Sequence, residues 1–215
     1  MFDHLIPERI RKELLRELSG LGIEALQPYS KGTTSVVFLG KLGEKRVIVK
    51  LQRPDSPRDN FRREAEILEA ISPFGISPPL IARGRIGNLS YLVREFAEGE
   101  PILYAELKKR HLFQIAEKTA LLDRLYLDHG QIQGGKHIII GGDVYIIDFE
   151  KANWRKPNNL TSAMAMIFIG RNAISKRVYK SFNLGEDFRE AMKSALRVYK
   201  REGKLSAVLD VLATL

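Results

Sequence analysis

The sequence predicts an α+β protein of two lobes. The first, residues 1–99, would be an antiparallel sheet with one packed helix, preceded by a leading helix; the second, residues 100–215, would be abbreviated and mainly helical. Three observations predict this. Strand-forming runs follow one another through residues 23–52 and 80–96 with a single helical pattern between them. Beyond residue 100 the spacing is helical except for one hairpin-like stretch. The segment FAEGEP interrupts the pattern between the two, with Gly99 as the crossing point.

In chain order, residues 7–19 read as an amphipathic helix with Pro7 in its first turn and Ile10, Leu14, Leu15 and Leu18 on one face. IEALQPYS, SVVFLGKL and KRVIVKLQ are consecutive strands, the last two joined by a turn at Gly43, and form an antiparallel meander. Pro54 and Pro57 end it, and Asp59 or Asn60 caps the helix FRREAEILEAI. LIARGRI and LSYLVREF pair across Gly87-Asn88. A helix is expected over 103–127, with Leu107, Ile115, Leu121, Leu122 and Leu125 among its buried residues. KHIII and VYIID then form a hairpin across Gly141-Gly142. Residues 159–212 are mostly helical, with breaks near Gly170, Asn183–Gly185 and Gly203.

The 215 residues are enough for one core or two small lobes, and the share of apolar residues is that of a soluble globular protein. With no cysteine, disulfides and thiolate metal sites are excluded, and a reducing compartment fits. The first residues carry charge throughout and no apolar core, which argues against a signal peptide. AMAMIFIG, residues 163–170, is too short to span a bilayer. The expectation is a cytoplasmic protein. A net charge of +9 implies attraction to anions, whether nucleotide phosphates, RNA or an acidic protein. The basic residues are spread along the helices, so a solvated helix surface is the competing account.

Three places carry chemistry. Lys50 ends an apolar strand, where it is either a solvated terminus or a buried cation. Glu64 shares a face with Ile67, Leu68 and Ile71 on the following helix, so a buried Lys50–Glu64 pair can hold the ammonium towards nucleotide phosphates. Glu66 is the competing partner, but it points nearly the opposite way. In KGTTSVVF, Gly32 permits the torsions of a tight loop, while Thr33, Thr34 and Ser35 offer amides and hydroxyls that can lie over phosphates. Asp148 ends VYIID, where it would enter a cleft between lobes. It is either a cap or turn residue or a ligand for a magnesium ion bridging nucleotide phosphates.

Taken in order, Gly32-x-x-Ser35-x-Val37-Phe38, Val47-Ile48-Val49-Lys50, Glu64-x-x-x-Leu68, Arg94-Glu95-Phe96-Ala97-Glu98-Gly99, His129-Gly130 and Asp148-Phe149-Glu150 resemble the protein kinase superfamily. The resemblance covers about residues 24–155. It is closest to the small atypical members, such as the RIO kinases and other compact archaeal predicted Ser/Thr kinases. It implies a bilobal kinase-like fold with ATP and Mg2+ as cofactors. Lys50, paired with Glu64, would contact the α and β phosphates under the Gly32–Ser35 loop. Val37 and Ile48 would roof the adenine, Ile138 would floor it, and backbone at Glu95 and Ala97 would form the hinge hydrogen bonds. Asp148 would be the magnesium ligand, with Glu150 standing where the family's motif has Gly.

Two departures set the alternatives. The family's catalytic loop carries an Asp two residues after its His and an Asn five residues beyond that Asp; this chain has Gln131 and Lys136. Gln131 cannot act as a base, and Lys136 cannot bind a metal while protonated. After Asp148 the helices begin almost at once, with no long activation segment and no Ala-Pro-Glu anchor, so the usual peptide-docking platform is missing or rebuilt. One reading is an ATP-dependent Ser/Thr phosphotransferase acting on proteins or on itself. There Gln131 would orient the acceptor hydroxyl, the Lys136 ammonium would replace a second metal's charge, and Asp128 would be an alternative base. The other is a noncatalytic pseudokinase, binding nucleotide or a partner as a scaffold. A small-molecule or RNA-linked kinase is the third. His137 is expected to pack structurally.

Overall fold

The computed structural model describes residues 6–56 and 59–215. By its internal contacts the chain divides after Ala97 into two compact units, two residues before the predicted crossing at Gly99. Pro57, expected to help end the meander, lies outside the described residues.

Unit 1 is a five-stranded antiparallel sheet with two helices. Its strands are β1 (Ile23–Lys31), β2 (Ser35–Leu42), β3 (Lys45–Gln52), β4 (Leu80–Ile86) and β5 (Leu89–Glu95), in the order β1-β2-β3-β5-β4. The central strand β3 is buried on both faces from Val47 to Gln52. Val47, Val49 and Leu51 join a core with Leu14 and Leu18 of helix α1 (Glu8–Gly20). Ile48, Lys50 and Gln52 alternate to the opposite face. Helix α2 (Phe61–Ile71) buries Phe61, Glu64, Ala65, Ile67, Leu68 and Ile71. Asp59 supplies its cap, with Oδ1 accepting from the Phe61 N–H at 3.1 Å, while Asn60 makes no side-chain cap bond. Leu15, expected on the buried face of α1, is 42% exposed. Burial there follows the Leu14–Leu18 row one turn apart, and Leu15 sits at its edge.

Unit 2 begins with β6 (Glu100–Pro101), continues through α3 (Lys109–Arg124) and β7 (Leu127–Asp128), and forms a short hairpin of β8 (Ile138–Ile140) and β9 (Val144–Ile146). It then runs through β10 (Asn153–Trp154), α4 (Asn159–Met164), a single π-helical turn Ala165–Ile169, α5 (Ala173–Ser181), α6 (Glu186–Glu202) and α7 (Ser206–Ala213). Two small antiparallel sheets, β6-β8-β9 and β10-β7, stitch the loops together. Helix α3 starts six residues later than expected. The reason is competition for backbone donors: Ile102 N–H bonds to the Ile138 carbonyl and Leu103 N–H to that of Gly135. Leu107 is buried in the loop before the helix. Ile115 and Leu122 are buried within it, whereas Leu121 and Leu125 are only half-buried. The helix breaks fall as expected, with Asn183 and Gly203 at positive φ. No helix among the described residues is long and apolar enough to cross a membrane.

Where β6 leaves Gly99, two backbones meet. Gly99 has φ +128°, and a Cβ there would run into the Ile140 carbonyl; a Cβ on Gly141 would run into that of Glu98. Gly141 is therefore needed for close approach rather than for a left-handed turn. Gly99→Ala is expected to destabilise unit 2 by at least about 2 kcal/mol, combining backbone strain with the clash. Urea denaturation followed by circular dichroism measures it, and an unchanged midpoint would count against this reading.

Candidate functional site

The candidate residues form two sets, one in each unit. In unit 1, period-two alternation sends Lys50 from β3 to the face opposite α1, where α2 supplies Glu64. The Lys50 Nζ lies 2.8 Å from Oε2 and 3.0 Å from Oε1 of Glu64, with side chains only 9% and 3% exposed. A two-oxygen contact of this kind offsets the desolvation of both charges. Glu66 instead bonds Arg62 on the exposed side of α2 at 2.9 Å. The Lys50 ammonium also stands 6.0 Å from the centre of the Phe61 ring.

The loop between β1 and β2 is closed by a Gly32 N–H to Ser35 carbonyl bond of 2.8 Å. It is tied to the end of β3 by Arg53, whose Nη1 donates to the Gly32 carbonyl and whose N–H donates to the Thr34 carbonyl. Ser35 is buried, so its hydroxyl is not presented at the surface. Gly32 departs from expectation: its φ is not positive, and a Cβ would meet Ser35 Oγ at an ordinary 3.6 Å. The loop's hydrogen bonds hold it without left-handed torsions at this glycine. Thr33 lies in the loop between the strands, Val37 pairs with Lys50 across β2–β3, and Ile48 is buried. Glu95, expected at the hinge, donates its N–H to Pro79 and accepts at its carbonyl from Arg94, leaving that oxygen one further lone pair. Ala97 is buried at the end of the unit.

In unit 2, Asp128, Gln131, Lys136 and His137 line one open groove of about 730 Å³, together with Arg155 and Asn158. His129 is fully buried behind them. Its Nε2 is 2.9 Å from the Ile147 carbonyl, and its Nδ1 accepts from the Gln131 N–H at 3.3 Å, a pattern that assigns the neutral Nε2–H tautomer. Burial pushes the His129 imidazole down to about 4, the Ile147 bond opposing it and His137 adding to it. Gln131 Oε1 is buried and has no hydrogen-bond partner among the described residues. Asp128, an alternative base in the sequence reading, has its carboxylate occupied: Arg155 reaches Oδ2 with Nε at 2.7 Å and Nη2 at 2.5 Å, and the Gly130 N–H reaches Oδ1. Lys136 is exposed at the groove, and Ile138 is fully buried in β8.

Asp148 follows β9 at φ +66°, a conformation uncommon for any residue but glycine, with its side chain one-third exposed. His137 Nε2 lies 3.9 Å from Asp148 Oδ2. The sequence reading favoured a packing role for His137 over a metal or catalytic one. Its place beside Asp148 follows from the hairpin register, in which Ile138 pairs with Ile146 and the Ile147 N–H bonds to the His137 carbonyl.

The sequence reading also missed Asn159. Buried at the start of α4, it accepts from the His129 N–H with Oδ1 at 3.0 Å and donates Nδ2 to both Asp123 and the Leu127 carbonyl. Asp123 is gripped in turn by the N–H groups of Asn159 and Leu160 and by the Tyr199 hydroxyl. Burial pushes the Asp123 carboxyl up against these bonds, and burial followed by Asp123 itself raises the Tyr199 phenol. An Asn before a helix reads locally as a cap; nothing local shows that it serves a loop thirty residues away.

Among the described residues no three His, Asp or Glu side chains gather as a metal site. Fold and side chains together define an α+β protein of two units, one carrying a buried lysine–glutamate pair and the other a polar groove near an aspartate in an uncommon backbone state. No family model matches the chain. The uncharacterized protein MJ1211 of Methanocaldococcus jannaschii is 36% identical to it over 115 residues, which are 50% of this chain and 98% of the relative. The chain belongs to the family of that archaeal protein.

Glu64→Ala takes its bidentate carboxylate from a buried ammonium and is expected to cost unit 1 about 3–5 kcal/mol, whereas Lys50→Met with Glu64→Leu should cost far less. Equal losses in the two variants by chemical denaturation would refute the account. Because the folded-state value of His129 is depressed, its stabilisation is complete above the unfolded value of about 6.5 and is lost as pH falls through about 4. The loss across that window is expected to approach about 3 kcal/mol. Denaturation midpoints between neutral and acid pH should therefore fall less in His129→Gln than in the native chain.

Proposed function

We propose that the chain is an ATP-dependent phosphotransferase of the protein-kinase-like kind, with a bilobal kinase-like fold, acting on Ser or Thr of protein substrates or of itself. The observation that carries the reading is the buried Lys50–Glu64 pair, formed between a central strand and the helix packed on its sheet. Neutral apolar residues would fill that space at little loss of stability, so a buried ammonium there favours a role in holding phosphate.

In this reading Lys50, oriented by Glu64, holds the nucleotide phosphates, and backbone groups of the Gly32–Ser35 loop lie over them. Asp148 fits Mg2+ as a single partly exposed carboxylate, because that ion usually takes one or two protein carboxylates plus substrate phosphates rather than a protein cage. The bound ion would supply charge neutralisation at the phosphates. Gln131, with an unpartnered buried amide oxygen, accepts from and orients the acceptor hydroxyl, and Lys136 adds positive charge at the same groove.

A second reading, a noncatalytic nucleotide-binding scaffold, is favoured by one observation. The carboxylate nearest the missing base, Asp128, is committed to Arg155. Labelled-phosphate transfer from ATP separates the two. Transfer is expected in the native chain and should fall at least about a hundredfold in Lys50→Ala and in Asp148→Ala. Thermal stabilisation by ATP and magnesium without any transfer would instead establish the scaffold, and transfer surviving both substitutions would defeat the assignment of these residues.

A further inference from the structure

Adjoining the candidate groove at Asn158, unit 2 carries a second groove of about 860 Å³, with Arg124, Tyr126, Lys156 and Lys200 on its walls. It shares Thr161 and Lys200 with a smaller groove lined by Lys193 and Arg197, so the two form one track. Lys193, Arg197 and Lys200 recur at helical spacing on one side of α6. Lys193 pairs with Glu190, but Arg124, Lys156, Arg197 and Lys200 are exposed and form no ion pair among the described residues. The one acidic lining residue, Asp123, has its carboxylate turned to four internal donors. At the β7–β10 end stand two large exposed aromatics, Tyr126 at 68% and Trp154 at 51%. Tyr126 is held at φ +55°, and its carbonyl accepts from the Arg155 N–H.

We propose that this track binds single-stranded nucleic acid, the four exposed cations following the phosphates and Tyr126 stacking on a base. Charge alone would suit any polyanion. An exposed aromatic at the end of a cationic groove is the arrangement that holds single strands without reading their sequence. The inference stands on this surface and does not depend on phosphotransfer.

Fluorescence anisotropy of the full chain with a labelled oligouridylate of about 12 nucleotides tests it. Affinity is expected to fall steeply between about 50 and 200 mM salt. Changing Arg124, Lys156, Arg197 and Lys200 together to Gln should lower affinity at least about tenfold and reduce the log–log salt slope by about 3. All four are exposed, so circular dichroism should show the fold intact. Tyr126→Ala should weaken binding about fivefold or more while leaving the slope unchanged. The double variant Lys50→Met with Glu64→Leu, which leaves no buried charge behind, should bind like the native chain, which separates this result from any failure of the phosphotransfer reading. Absence of salt-dependent binding, indifference to Tyr126→Ala, or equally tight binding of an oligoglutamate peptide would each overturn the proposal.

Discussion

A lysine ammonium inside a protein must be paired, and in unit 1 that requirement governs how the helix and sheet meet. Lys50 projects from the central strand among apolar neighbours, and Glu64 is the group that meets it. The pair sets the rotation of α2 about its own axis as well as its distance from β3. Turning the helix far enough to bury Glu66 in place of Glu64 would pull Ile67, Leu68 and Ile71 out of contact and strand the cation. Apolar burial and ion pairing thus select the same orientation. Apolar packing alone would allow several registers of similar energy, so the charged pair adds specificity more than stability.

Unit 2 solves a different problem. Its loops are long and its strands are two or three residues each, too short to order themselves. Buried side-chain hydrogen bonds do the ordering instead, running from Tyr199 on α6 through Asp123 on α3 and Asn159 on α4 to the backbone of His129, and from the His129 ring to Ile147. Three helices are thereby coupled to the loop that carries Gln131. The links are polar and at least partly buried, so removing one leaves a neighbour short of a hydrogen bond.

The parts legible in the sequence share one property: their determinants are local. Strands β1 to β5 follow from short apolar runs with Gly or Pro between them, and the Lys50–Glu64 pairing follows from one strand end and one helix face. The later start of α3 was hidden because Ile102 and Leu103 commit their amides to Ile138 and Gly135, partners more than thirty residues away. Asn159 was hidden for the same reason. The Arg155–Asp128 pair joins residues 27 apart across the β7–β10 pairing, and two strands of two residues leave no periodic trace. Glycine was only partly legible. Gly32 permits left-handed torsions it does not use, while Gly141 lies in the hairpin turn as expected and also leaves a gap for a passing backbone.

The left-handed backbone at Asp148 reaches beyond this one chain. At such a position most side chains collide with their own carbonyl, and those tolerated best are Gly, Asn and Asp. Drift among relatives is therefore confined to a narrow alphabet, and within it Asp alone bears a charge. Should a branch of the family lose any need for a carboxylate here, the fold would steer the replacement towards Asn or Gly rather than towards Ala, Ser or Glu. A change from Asp to Asn at this point in a relative would then record relaxed chemistry with an unaltered backbone, whereas a bulky or branched residue would signal that the segment itself had been rebuilt.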